Sequence, residues 1–290
     1  MVQKTWWIFI LFGEGSQTIV ILPGFGSQSP VIQYKTLVEG LRDNYRVVVV
    51  EYFGYGYSMS IDKERSNENI ASEIKKLLEM AEIGGPYILM PHSSSNIYAM
   101  KFQEKYPDEV QAIISIDGTY PSEVEDSYRL SKIKDTVTNV NITSIWELTG
   151  FERILSYVHP KTFYMDKMKE MPNIYSNEDF KVYRNRIGSS YLTRTMVREA
   201  KKFEDNMKEM KDYKYPDNLA VLEILATDTV KEYQDDKLSG KSSVNLQDLA
   251  QKPITNSSLQ ITYEIKGDHM LQLTNPNELI NAIKTFLANF

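Results

Sequence analysis

The chain of 290 residues contains no cysteine. That absence removes disulfides, thiolate metal sites and cysteine nucleophiles together. Histidine is nearly as scarce, with only His92, His159 and His269 available as an imidazole base. No basic patch stands out and the net charge is -6, so nucleic acid is not an expected partner. Long hydrophobic runs are also missing. Trp6–Phe12 (WWIFILF) has seven residues, whereas crossing a bilayer takes about 20. It reads as a core strand, with the remnant of a trimmed membrane anchor as the alternative. The basic start and small-residue cleavage site of a signal peptide are not evident. The cytoplasm is the expected compartment, and a secreted or trimmed membrane-anchored form is also compatible.

What the chain does contain is alternation. Short apolar runs at Thr18–Leu22, Arg46–Glu51, Tyr87–Met90 and Ala112–Ile116 are rich in β-branched residues and largely unbroken by polar ones. Such runs suit strands buried on both faces of a parallel sheet. Helical patterns separate them at Tyr34–Leu41, Glu68–Met80 and Ile97–Tyr106. From 121 to 216 the character changes to Tyr, Met and charge at helical spacing, with one or two long helices over Ser176–Lys211. Strand-like runs return at Ala220–Ala226 and Leu259–Ile265, with a polar surface loop at Lys237–Ser243 and a last amphipathic helix at Asn277–Leu287. The expected fold class is α/β, with a mostly parallel central sheet flanked by helices. Its expected parts are a core at 1–120, a helical cap at 121–216 and the rest of the core at 217–290.

Serine is a poor nucleophile until a base takes its proton, and the base needs an orienting acid. In an open parallel sheet such groups gather at the carboxyl ends of strands. Ser93 follows a strand in Pro91-His92-Ser93-Ser94-Ser95, directly before a helix. Taken alone, that stretch also reads as a polar loop capping the helix. His269 follows the last strand in Gly267-Asp268-His269, whereas His92 adjoins Ser93, where neighbouring side chains diverge, and His159 lies in the helical segment. Two acids compete. Asp228 follows Ala220–Ala226, and Asp117 follows Ala112–Ile116. The order Ser, Asp, His matches one known fold order, and either acid fits it. Leu22-Pro23-Gly24-Phe25-Gly26 is a Gly-rich turn whose Phe25 amide, with that of Ser94, would hold an oxyanion. Ser27-Gln28-Ser29-Pro30 follows without the third glycine of a dinucleotide fingerprint.

These stretches, with Glu51-Tyr52-Phe53-Gly54-Tyr55-Gly56-Tyr57-Ser58, resemble the α/β-hydrolase superfamily and its bacterial esterase-like members. The resemblance covers about 15–120 and 218–290. Pro91 and Ser95 stand where the pattern Gly-His-Ser-x-Gly has glycines. It implies Ser93 as nucleophile, His269 as base, Asp228 as acid, and the Phe25 and Ser94 amides as oxyanion hole. The expected activity is hydrolysis of a small-molecule carboxylic ester through an acyl-enzyme, with no cofactor and no metal. Epoxide and haloalkane hydrolysis on this fold resemble each other in using Asp at the elbow, where this chain has Ser93. Amide, thioester, lactone and carbon–carbon cleavage stay open, as does a non-catalytic binding protein on the same fold. Trp146, Phe151, Tyr157, Phe163, Tyr164, Met165 and Met168 either line an apolar acyl pocket or pack the cap against the core.

Overall fold

Apolar runs without alternation demand cover on both faces, and the sheet supplies it. The computed structural model describes residues 8–146, 158–190 and 192–289. Strands β1 (Ile8–Phe12), β2 (Thr18–Leu22), β3 (Arg46–Glu51), β4 (Tyr87–Pro91), β5 (Val110–Ile116), β6 (Ala220–Ala226) and β7 (Gln260–Ile265) form one sheet in the order β1-β3-β2-β4-β5-β6-β7. β1 runs antiparallel to β3, and every other neighbouring pair is parallel. The longer helices are α1 (Lys35–Leu41), α2 (Asn67–Met80), α3 (Ser95–Lys105), α4 (Ser127–Trp146), α5 (Asn177–Ser190), α6 (Arg194–Met210), α7 (Thr227–Leu238), α8 (Leu246–Gln251) and α9 (Pro276–Leu287).

Successive strand side chains point to opposite faces. Along β2, Val20 and Leu22 join a cluster with Ile70 and Ile74 of α2 and Ile97 of α3. Ile19 and Ile21 join another with Leu37 and Leu41 of α1 and Ile283 of α9. α2 starts where the Ser66 hydroxyl accepts the Asn69 amide, and its buried Ile70, Ile74, Leu77 and Leu78 recur at helical spacing. α9 has Pro276 at its first position and buries Leu279, Ile283, Phe286 and Leu287.

Between β5 and β6 the described residues form helices and turns, with no strand. α6 is held against the sheet-flanking helices by polar side chains. Tyr98 donates to Glu199 at 2.9 Å, and Asn67 donates to the Asn206 carbonyl at 2.8 Å. Lys35 of α1 pairs with Asp179 of α5 at 2.7 Å.

Two sequence expectations need correction. The apolar run before Gly13 is an edge strand rather than a core one: β1 pairs with β3 alone, and Leu11 is exposed. Trp6 and Trp7 lie outside the described residues. The second concerns the stretch after β6, where Asp228 was expected as the acid. The helix α7 begins at Thr227 itself and runs to Leu238, and α8 follows before β7. Among the described residues, no helix is long and apolar enough to cross a membrane.

Glu223 sits fully buried in the middle of β6, where its carboxyl oxygens accept from Tyr215 at 2.8 Å and Tyr120 at 2.9 Å. Burial pushes it up to about 7. The folded state therefore keeps a proton that the unfolded chain releases near pH 4.5, so stability falls as pH rises from there through about 7. Glu223→Gln, which cannot ionise, is expected to gain on the parent by on the order of 2 kcal/mol between about pH 5 and about pH 8. Urea denaturation of both proteins at the two pH values checks this, and a difference independent of pH refutes it.

Candidate active site

The elbow is built by the junction of β4 and α3. Ser93 has φ 55, a left-handed backbone that a non-glycine residue adopts only under constraint. The constraint is visible. The His92 amide donates to the Leu22 carbonyl at 3.0 Å, the Ser93 amide to the Ile116 carbonyl at 3.1 Å, and the Thr119 amide to the Ser93 carbonyl at 3.0 Å. Pro91 costs this junction no ladder bond on the β5 side. That ladder runs as far as Leu89↔Ile113 and resumes only at the bridge between His92 and Ile116. Ser95 is fully buried, and its hydroxyl donates to the Pro23 carbonyl while accepting from Tyr52 at 2.9 Å. A serine here thus ties the elbow to the turn after β2. Gly24 in that turn has to be glycine, because a Cβ would meet His92 Nδ1 at 2.8 Å and Ser93 Cβ at 3.1 Å.

His269 and Ser93 line one cavity. His269 Nδ1 donates to Asp117 Oδ2 at 2.6 Å, and the sequence-favoured Asp228 is not its partner. Asp117 stands at the end of β5 with φ 43 and is almost completely buried. Its Oδ1 accepts from the Ala226 amide at 2.8 Å, and its Oδ2 also accepts from Thr229 at 2.6 Å. Asp228 is exposed in the first turn of α7. The helix that starts straight after β6 carries its side chain away, and it holds the histidine loop through its backbone amide, which donates to the Gly267 carbonyl at 3.1 Å. Thr227 adds a second tie by accepting the Gly267 amide at 3.2 Å.

His92 does not diverge from the site, as elbow geometry alone suggests. Its ring lies 4.7 Å from that of His269, and its Nε2 is 2.9 Å from the His269 carbonyl. A carbonyl only accepts, so Nε2 carries the proton and Nδ1 accepts from Tyr34 at 2.8 Å. Tyr34 in turn accepts the Gly24 amide at 3.1 Å. Burial first, and then the neighbouring His269, push the His92 imidazole down to about 3, so it stays neutral as this chain of bonds requires. His159 is exposed in the helical segment between β5 and β6.

Of the two expected oxyanion donors, the Ser94 amide stands at the N-cap of α3, ahead of the Ser95 and Asn96 amides, which donate to the His92 and Ser93 carbonyls. The Phe25 amide donates to the Ser94 hydroxyl at 3.0 Å. Nothing in the sequence signals that contact, which links residues 69 positions apart.

Two cavities meet at Ser93 and Phe25. One, about 180 Å³, has His269 in its wall together with Gln28, Tyr34, Tyr164 and Tyr183. The other, about 320 Å³, has Ile133 and Val137 of α4 and Ala200 and Phe203 of α6. Of the aromatic and Met residues expected at a pocket or in packing, Phe163 and Tyr164 line the smaller cavity. Met165 and Met168 are buried in a cluster with Ile32 and Leu273. Phe151, Tyr157 and the Trp146 side chain lie outside the described residues. No group of three His, Asp or Glu side chains suited to a metal ion occurs among the described residues.

Comparison with known proteins agrees with this architecture. The uncharacterized protein YbdG of Bacillus subtilis (strain 168) is 33% identical over 181 residues, 60% of this chain and 53% of that protein. The chain thus matches only about half the length of this relative. The epoxide hydrolase VrEH1 of Vigna radiata superposes with a TM-score of 0.68 at 15% identity, over 97% of this chain and 94% of that one. MenH from S. aureus does so with a TM-score of 0.65 at 16% identity, over 99% of each chain. Residues 17–137 match the family model described as alpha/beta hydrolase fold. With the sheet order and the elbow, that match gives the chain the α/β-hydrolase fold.

Proposed function

We propose that the protein is a serine hydrolase that cleaves carboxylic esters with Ser93 as nucleophile, His269 as base and Asp117 as acid. The observation that carries this reading is the 2.6 Å bond from His269 Nδ1 to buried Asp117, beside a cavity that Ser93 also lines. Asp117 fixes the imidazole tautomer, leaving Nε2 to take the Ser93 proton. Ser93 Oγ bonds to the carbonyl carbon, the carbon–oxygen bond to the alcohol breaks, and His269 returns the proton to the leaving oxygen. Water then releases the acid by the same route in reverse. A fluorophosphonate probe tests the reading: it should label the folded protein at Ser93 and fail on Ser93→Ala. Folded parent protein that takes no label rules the reading out.

A second reading, a non-catalytic ligand-binding protein on this fold, has one observation in its favour. The Phe25 amide already donates to Ser94, so an incoming carbonyl must displace that bond. A neutral hydrogen bond of this kind is worth only about 1 kcal/mol net, which the developing oxyanion outbids. Ser94→Ala, which frees the amide, is accordingly expected to raise kcat/KM on a short-chain ester by about fivefold at most. A drop of tenfold or more (about 1.4 kcal/mol) would instead make the hydroxyl itself necessary.

A further inference from the structure

The two cavities at Ser93 differ in chemistry, and only one contains the base. His269 is in the wall of the 180 Å³ cavity, which Gln28 and Tyr183 also line. The 320 Å³ cavity lacks His269 and is walled mainly by Ile133, Val137, Ala200 and Phe203. Among the described residues, neither lining includes Asp, Glu, Lys or Arg. In ester cleavage the leaving oxygen must face the imidazolium that protonates it, so the alcohol portion lies on the base's side of the nucleophile. The acyl chain then has to run the other way.

We propose that the substrate is an uncharged ester with an apolar acyl chain and a small polar alcohol. The acyl chain occupies the α4–α6 cavity, and the alcohol occupies the cavity at Gln28 and Tyr183. This assignment rests on the serine-hydrolase reading above. At roughly 30 Å³ per heavy atom, close to the share of a water molecule, the larger cavity takes an acyl group of about ten heavy atoms. A charged group buried in either cavity would meet no counter-ion among the described residues, which disfavours acids and phosphates at both ends. The step balances within the chain. The Ser93 proton leaves with the alcohol through His269; the water that follows gives its hydroxyl to the acid product and its other proton, through His269, back to Ser93 Oγ.

The test is an acyl series of esters, from acetate to dodecanoate, sharing one uncharged alcohol. The parent should turn over acetate and prefer acyl chains of eight to ten carbons (about the cavity's capacity). Ala200→Trp, which fills the larger cavity, should lose at least tenfold in kcat/KM on decanoate while acetate changes by less than about threefold, within roughly 0.7 kcal/mol. Val137→Phe is the second filling variant, and fluorophosphonate labelling of Ser93 verifies that each variant is folded and active. Gln28→Leu should change the preference among alcohols and leave the acyl profile as it was. An acyl profile unmoved by both filling variants but shifted by Gln28→Leu would reverse the assignment and overturn the proposal. Preference for a charged acyl or alcohol group would overturn it too. If the parent hydrolyses no ester in the series and takes no fluorophosphonate, the serine-hydrolase reading itself falls.

Discussion

Ser93→Ala is expected to remove turnover of a short-chain p-nitrophenyl ester, with kcat falling by about 10⁶. The loss should be almost purely chemical. Alanine occupies the left-handed conformation no less readily than serine, so the elbow held by the Leu22 and Ile116 carbonyls should persist. The Ser93 hydroxyl makes no hydrogen bond with a described residue, so truncating it orphans no buried partner. Stability should then change by no more than about 0.5 kcal/mol. Ser93→Gly provides the contrast: it is equally inactive, yet it relieves a left-handed strain of roughly 1 kcal/mol and should unfold later in urea. Near-normal turnover in Ser93→Ala would end the assignment.

The second large effect distinguishes the two acids. Asp117→Asn should lower kcat by about 10⁴ with little change in fold, because an amide at this position no longer holds His269 in the tautomer that accepts from serine. Its NH2 must also face one of the donors now satisfied by the carboxylate, namely the Ala226 amide, the Thr229 hydroxyl or the His269 ring. Asp228→Asn should stay within about twofold of the parent, since an exposed side chain is removed and the backbone bond to Gly267 is kept. Kinetics of the two variants on one ester decides the matter: activity lost only in the Asp228 variant would restore Asp228 as the acid.

That pair marks the boundary of what was legible. The sheet was readable because strands covered on both faces cannot hide among polar residues: β2, β3 and β6 begin and end where their apolar runs do. Ser93 and His269 were readable because each follows a strand in a short loop before a helix. Asp117 and Asp228 also both follow strands, and what separates them is the next peptide. After β5 the chain turns at φ 43 and keeps the carboxylate over the sheet; after β6 it winds at once into α7. Whether a Thr-Asp-Thr stretch starts a helix or a loop depends on Gly267 and Thr229 contacts made across the sheet, which no local pattern encodes. The same holds for His92 and Ser94, whose side chains find partners in the base loop and in the turn after β2.

The bonds running from Gly24 through Tyr34 and His92 to the His269 carbonyl have a further consequence. Each group in that row has one way to orient its proton, and all point from the turn after β2 toward the base loop. Displacing any member is therefore felt by the others: the strand end that would receive the oxyanion and the loop that delivers the proton share one alignment. Together with the Asp117 ties, this anchors the proposed base and its acid to the sheet, with no hydrogen bond of the row or of Asp117 drawn from the described residues of 121–216. Changes in that helical segment are therefore expected to alter which substrate fits before they disturb the alignment of these groups.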